Sequence, residues 1–139
     1  MGARIEGWAR EMLEREGHFG TLATISADGT PHQAVVWYLV RDDALVLNSA
    51  VGRIWPANLQ RDPRCSLLVE DGYDWVSLRG KVEVVADQPT AQADIAAMAR
   101  RYHAREPAEA ERMIREVFGP QQRISFVLRP ERVVEHADA

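Results

Sequence analysis

The sequence has a single cysteine, Cys65, and a single lysine, Lys81. One cysteine excludes an intrachain disulfide and points to a reducing, cytoplasmic setting. One lysine leaves Schiff-base chemistry a lone candidate, and Lys81 lies in an alternating, strand-like run that turns it to solvent. No apolar run approaches the roughly 20 residues that span a bilayer. The opening MGARIEGWAREMLEREG mixes acids and bases at helical spacing, unlike a signal peptide. Basic charge is not in excess: the formal net charge is −4, which argues against a nucleic-acid partner. The four histidines, His18, His32, His103 and His136, show no H-x-x-x-H spacing, so a metal site has no support. There is no G-x-G-x-x-G, no phosphate-loop motif and no G-x-S-x-G frame.

What is present is an ordinary globular composition, 46% hydrophobic and 27% charged over 139 residues. That size fits a single domain, 1–139, with a real core. Ile5, Trp8, Ala9, Met12 and Leu13 recur at helical spacing up to Gly17. Phe19–Ile25 and Pro31–Val40 read as two strands of a hairpin around Asp28-Gly29. Ala44–Leu47 is a third strand, Arg64–Glu70 a fourth and Trp75–Val85 a fifth, with Gly80 as a bulge or close-approach point. Asp87 and Pro89 start a helix with Ile95, Met98, Ala99 and Tyr102 on its apolar stripe. Pro107 opens another, which Gly119-Pro120 ends, and Arg123–Leu128 is a sixth strand before a tail that returns near Arg132–Val134. Six short strands with helices at their margins predict a mainly β domain, a small antiparallel barrel.

Leu45–Pro63 is the stretch most suited to a ligand. A strand stops in Asn48, Ser49 and Gly52 and feeds a short helix, and such a junction offers free backbone N–H groups to an anion. Arg53 adds a fork of donors there. Trp55 sits among small and kinked residues, outside any periodic apolar pattern, and is expected to face a ligand or an interface. Trp37 and Tyr38 are adjacent on a strand and so point to opposite faces, one to the core and the other to a helix, an interface or a ligand. Flat rings of this kind suit the walls of a flavin-type pocket.

Three segments, GTLATISADGTPHQAVVWYL, LVLNSAVGR with NLQRDPRCSLLVEDG, and WVSLRGKVEVV, resemble the split-barrel flavin and deazaflavin oxidoreductases. This is the superfamily of pyridoxamine 5′-phosphate oxidase, and the sequence is most similar to its branch that uses the deazaflavin coenzyme F420. The resemblance spans roughly Gly17–Tyr102. It implies a six-stranded antiparallel split β-barrel, a homodimer, and a cofactor groove at the dimer interface with the phosphate in the strand-to-helix loop. Carried over by position, that loop comprises Asn48, Ser49, Gly52, Arg53, Trp55, Pro56 and Asn58. The ring side comprises Gln33, Val35, Val36 and Trp37, and the second protomer contributes from Trp75 to Arg79.

The loop departs from the family pattern where basic residues are common: Ile54, Trp55 and Ala57 are uncharged, and Arg53 is its only cation. A charge-assisted hydrogen bond is worth about 1.5–3 kcal/mol, so two fewer weaken phosphate binding unless arginines from elsewhere replace them. The tail RPERVVEHADA lacks the C-terminal segment characteristic of pyridoxamine 5′-phosphate oxidase itself. The resemblance therefore implies hydride transfer between reduced F420 and an unsaturated organic substrate, with FMN as the alternative cofactor. No side chain is nominated as catalytic; a proton comes from solvent or from Tyr38 or His32. Two other readings stand beside it: a non-catalytic cofactor or haem binder, with His18, His32 or Tyr38 as axial ligand, and a structural dimer without ligand.

Overall fold

The alternation of small and branched residues that marks the first strands is realised as burial on one face. Leu22 and Leu67 on neighbouring strands are fully buried while their flanking residues are partly exposed. The computed structural model describes residues 2–137. Its elements are α1 (Gly7–Glu14), β1 (Gly20–Ile25), β2 (Pro31–Val36), β3 (Leu39–Arg41), β4 (Ala44–Ala50), α2 (Ile54–Arg61), β5 (Arg64–Asp71), β6 (Asp74–Val85), α3 (Gln88–Tyr102), α4 (Pro107–Met113) and β7 (Arg123–His136). A π-helical turn, Ile114–Phe118, continues α4.

The strands form one antiparallel sheet in the order β2-β1-β5-β6-β7-β4-β3. Its two edges, β2 and β3, are separated in sequence only by Trp37 and Tyr38. Two residues reach no further than about 10 Å, so the sheet must curl until its edges nearly meet. The result is a barrel split between β2 and β3. Inside it lie Leu22, Leu45, Leu47, Leu67, Leu78, Phe126 and Leu128, closed at one end by Met12 and Leu13 of α1. A second, smaller core forms outside, where Val46 of β4 meets Ile95, Met98 and Ala99 of α3 and Phe118 of the π turn. β4 is thus buried on both faces.

The strand count is seven, not six. The segment expected as one strand, Pro31–Val40, breaks at the split, because the Tyr38 N–H is taken by the Tyr102 hydroxyl (3.3 Å) rather than by a neighbouring strand. The tail expected to end at Leu128 and return is one long strand, Arg123–His136, laid along β6. Trp37 and Tyr38 part as expected. Tyr38 is fully buried, and Trp37 stacks on Tyr102 of α3 (ring centroids 5.0 Å apart). The Asp87 side chain caps α3, accepting from the Thr90 N–H at 3.1 Å, with Pro89 in the first turn.

Gly80 is a close-approach point. The β6–β7 register slips between Arg79 and Gly80, and a Cβ here would sit 2.8 Å from the Arg129 carbonyl oxygen and 3.0 Å from the Glu131 nitrogen. Backbone cannot yield as a side-chain tip does. Gly80→Ala is expected to destabilise the fold by roughly 1–3 kcal/mol, read as a lowered midpoint in urea; an unchanged midpoint contradicts the close packing.

Candidate functional site

β4 ends at Ala50, and the chain turns outward through Val51 and Gly52 before α2 begins. Gly52 has φ +102°, a left-handed value that favours glycine. The Val51 N–H donates to the Gln122 carbonyl at 2.9 Å, which ties this turn to the start of β7. Across the ladder Ala50 pairs with Arg123, Ser49 with Ile124 and Asn48 with Ser125. Pairing of distant segments thus brings Arg123 to the loop that carries Arg53.

These elements enclose a cavity of about 260 Å³ lined by Val35, Val36, Trp37, Asn48, Ser49, Arg53 and Trp55, with Ile95, Met113, Phe118 and Arg123. Seven of the residues expected at the site therefore share one wall. Six do not. Gln33 is exposed on β2, and Gly52 only shapes the turn. Pro56 is buried within α2. Asn58 is also buried there, donating to Thr24 Oγ1 (3.0 Å) and accepting from Arg61 (2.9 Å), so it anchors α2 to β1. Trp75 lines a separate groove with Leu68 and Val134, and Arg79 lies on a third surface beside Cys65. Burial pushes the Cys65 thiol up to about 12, leaving little thiolate at neutral pH.

Trp55 lines the cavity, as a ligand-facing residue would, and is also packed into the core. It is 8% exposed and belongs to the barrel core, its ring 5.5 Å from that of Phe126. Trp55 and Leu59 are four apart on α2 and form its inward face. Only part of Trp55 reaches the cavity wall. The two groups named as proton donors lie elsewhere. Tyr38 is buried and donates to the Leu13 carbonyl at 2.7 Å, and burial holds its phenol well above the ordinary value. His32 is on β2, off the cavity wall.

Arg123 was missed in the sequence. It is 3% exposed, with its guanidinium 5.0 Å from the centre of the Phe118 ring. Its Nε donates to Asn48 Oδ1 (3.0 Å) and Nη1 to Gln121 Oε1. Both acceptors are neutral, and no carboxylate pairs with it among the described residues. Burial first, and the Arg53 charge second, push this guanidinium down to about 10. A buried cation without a counter-charge is costly, and a second cation nearby makes it more so. The same cavity wall carries the Ser49 hydroxyl, which has no hydrogen-bond partner, on a residue 2% exposed. Buried polar groups are nearly always paired, so this orphan and the two cations call for an anion. The first turn of α2 adds backbone donors, less the one that Pro56 lacks. The rest of the wall is largely apolar and aromatic: Val36, Trp37, Trp55, Ile95 and Phe118, the last with its ring against the Arg123 guanidinium.

Three solved structures resemble this one along most of the chain. The conserved hypothetical protein Rv2991 from Mycobacterium tuberculosis superimposes with a TM-score of 0.73 at 25% identity, over 98% of this chain and 93% of that one. An F420 reductase gives 0.71 at 27% identity, over 93% and 97%. A haem-binding protein from Mycobacterium smegmatis gives 0.66 at 25% identity, over 94% of this chain and 55% of that one. No curated protein matches the sequence. The family model described as pyridoxamine 5′-phosphate oxidase matches residues 6–137, from the first helix to the end of β7. With that match covering the barrel and the cavity alike, the chain belongs to the pyridoxamine 5′-phosphate oxidase family.

Proposed function

We propose that this protein binds the deazaflavin coenzyme F420, with FMN as the alternative, and acts as an oxidoreductase on an unsaturated organic substrate. The observation that carries this reading is the buried, carboxylate-free Arg123 in one cavity with Arg53 and the orphaned Ser49 hydroxyl, the rest of whose lining is largely apolar and aromatic. A phosphate between two guanidinium groups accepts charge-assisted bonds from both. Trp37 and Trp55 supply flat surface for a fused ring. The likeness to an F420 reductase, at 27% identity over 93% of this chain, supports F420 ahead of FMN.

When bound, such a cofactor supplies hydride transfer. The chain's own residues bind and orient. Arg53 and Arg123 would hold the phosphate, Val36 and Trp37 would set the ring position at the split, and Phe118 and Met113 would exclude water from the outer side. His18, His32 and Tyr38, which an axial haem bond would use, lie off this wall. His18 Nδ1 is engaged with the Met12 carbonyl at 3.0 Å.

The cavity falls short of the roughly 300–1,000 Å³ typical of ligand pockets. A second copy completing it is part of the proposal. The apolar groove of Leu68, Trp75 and Val134, about 630 Å³, offers that copy a surface to cover. Titrating F420 and FMN against the wild type and Arg53→Ala, followed by tryptophan quenching, tests the reading. F420 is expected to bind at roughly tens of micromolar or tighter. Arg53 is exposed, so its loss is expected to weaken binding only about tenfold; equal affinity for the two proteins contradicts the phosphate assignment.

A further inference from the structure

Asp94 is a buried carboxylate, 4% exposed, on α3 and off the cavity wall. Arg41 Nη2 donates to its Oδ1 at 3.0 Å from the solvent side. On the inner side the Ser125 hydroxyl donates to Oδ2 at 2.7 Å. A carboxylate only accepts. The single hydroxyl proton of Ser125 is therefore committed, and its lone pairs are left for Asn48, whose Nδ2 donates to Oγ at 2.9 Å. The second amide proton of Asn48 goes to the Ala91 carbonyl at 2.8 Å. With both protons placed, Asn48 Oδ1 turns to Arg123 and accepts from Nε at 3.0 Å. Every donor in this chain points the same way, from Arg123 through Asn48 and Ser125 to Asp94. Bonds aligned in this manner polarise one another in a low-dielectric interior.

We propose that Asp94 is a positioning residue for the anion site. Acting through Ser125 and Asn48, it fixes the plane of the Arg123 guanidinium so that the terminal nitrogen left out of these bonds serves the cavity. The inference rests on the reading that the cavity takes a cofactor phosphate, and it adds a residue with no contact to the cofactor. The relay also explains why a buried arginine holds its place without a carboxylate of its own. The counter-charge lies two side chains away, where it orients the cation without occupying the anion's position. Gln121, on the other arm of the guanidinium, fixes the remaining direction.

Ser125→Ala and Asp94→Asn test it in the full-length, nitrogen-labelled protein, each near-isosteric and each checked for an intact unfolding transition. The first readout needs no ligand. The Arg123 Nε–H resonance is expected to exchange slowly with water in the wild type and at least about tenfold faster in both variants, since one aligned bond is worth about a decade. The second is the preference for FMN over riboflavin, which differ by the phosphate alone. It is expected to fall about tenfold in both variants with riboflavin affinity unchanged, whereas general loosening weakens both ligands equally. Arg41→Ala is expected to shift that preference less than about twofold, because its half-exposed ion pair lies outside the relay. An unmoved resonance in both variants, an unchanged preference, or equal weakening of both ligands overturns the proposal. A wild type with no preference for FMN overturns the phosphate reading instead, and the resonance still decides whether the relay holds Arg123.

Discussion

Replacing Arg123 with alanine is expected to weaken F420 and FMN binding by roughly 100-fold, while riboflavin affinity changes less than about twofold. Arg123 is the buried member of the cation pair, and its donors are already aimed by Asn48 and Gln121. A pre-aimed donor gives up little entropy when the ligand arrives. The Arg53 side chain, exposed and without a hydrogen bond among the described residues, gives up more and is screened by water. Arg123→Lys keeps the charge but not the planar fork, and is expected to recover only part of the loss. Isothermal titration with the three ligands checks all of this; a loss of riboflavin affinity equal to that of FMN contradicts it.

The same residue sets a pH dependence. In the folded protein Arg123 lies at about 10, below its unfolded value. The protonated form therefore costs stability at every pH below about 10, and that cost is relieved as pH rises through 10 toward the unfolded value. A bound phosphate offsets the cost at neutral pH. Phosphate-dependent affinity is expected to stay level from pH 7 to 9 and to fall above about 10 as the charge is lost.

The largest effect on stability is expected from Phe126→Ala, roughly 3–5 kcal/mol. Phe126 is fully buried near the start of β7, paired with Leu47 on one side and Val84 on the other. Its ring is also the surface against which Trp55 packs, 5.5 Å away. Truncation opens a void in the barrel and releases the inner side of α2, where Trp55 also lines the cavity. A fall of roughly 10–20 °C in Tm follows for a domain of this size. A loss under about 1 kcal/mol shows that the barrel can collapse onto the void, against the close packing described above.

Most of the barrel was legible because its signals are local. Asp28-Gly29 turns a hairpin, Asp87 and Pro89 start a helix, and Gly80 marks a backbone contact, each within a few residues of its cause. The break at Trp37-Tyr38 was not, since it depends on Tyr102, 64 residues away, supplying the partner for the Tyr38 N–H. The core packing of Trp55 was hidden, because its neighbours in sequence do not show that it shares a helical face with Leu59. Half of the proposed anion site was visible as Arg53 at a strand-to-helix junction. Arg123 was not, since nothing in RISFVL says that it pairs with Ala50 and is buried. The only local hint is a charge at the head of an alternating apolar run, directly after Gln121-Gln122. The π turn that places Phe118 over Arg123 also left no signal, as α4 simply reads on into it.

In the proposed site, two arginines and an orphaned serine hydroxyl hold a phosphate beside a ring-binding wall. The most direct test is the dissociation constant of the wild-type protein for FMN set against that for riboflavin, which lacks only the phosphate. The phosphate is expected to strengthen binding by at least about 100-fold, the sum of two charge-assisted contacts. Equal affinity for the two forms contradicts the account.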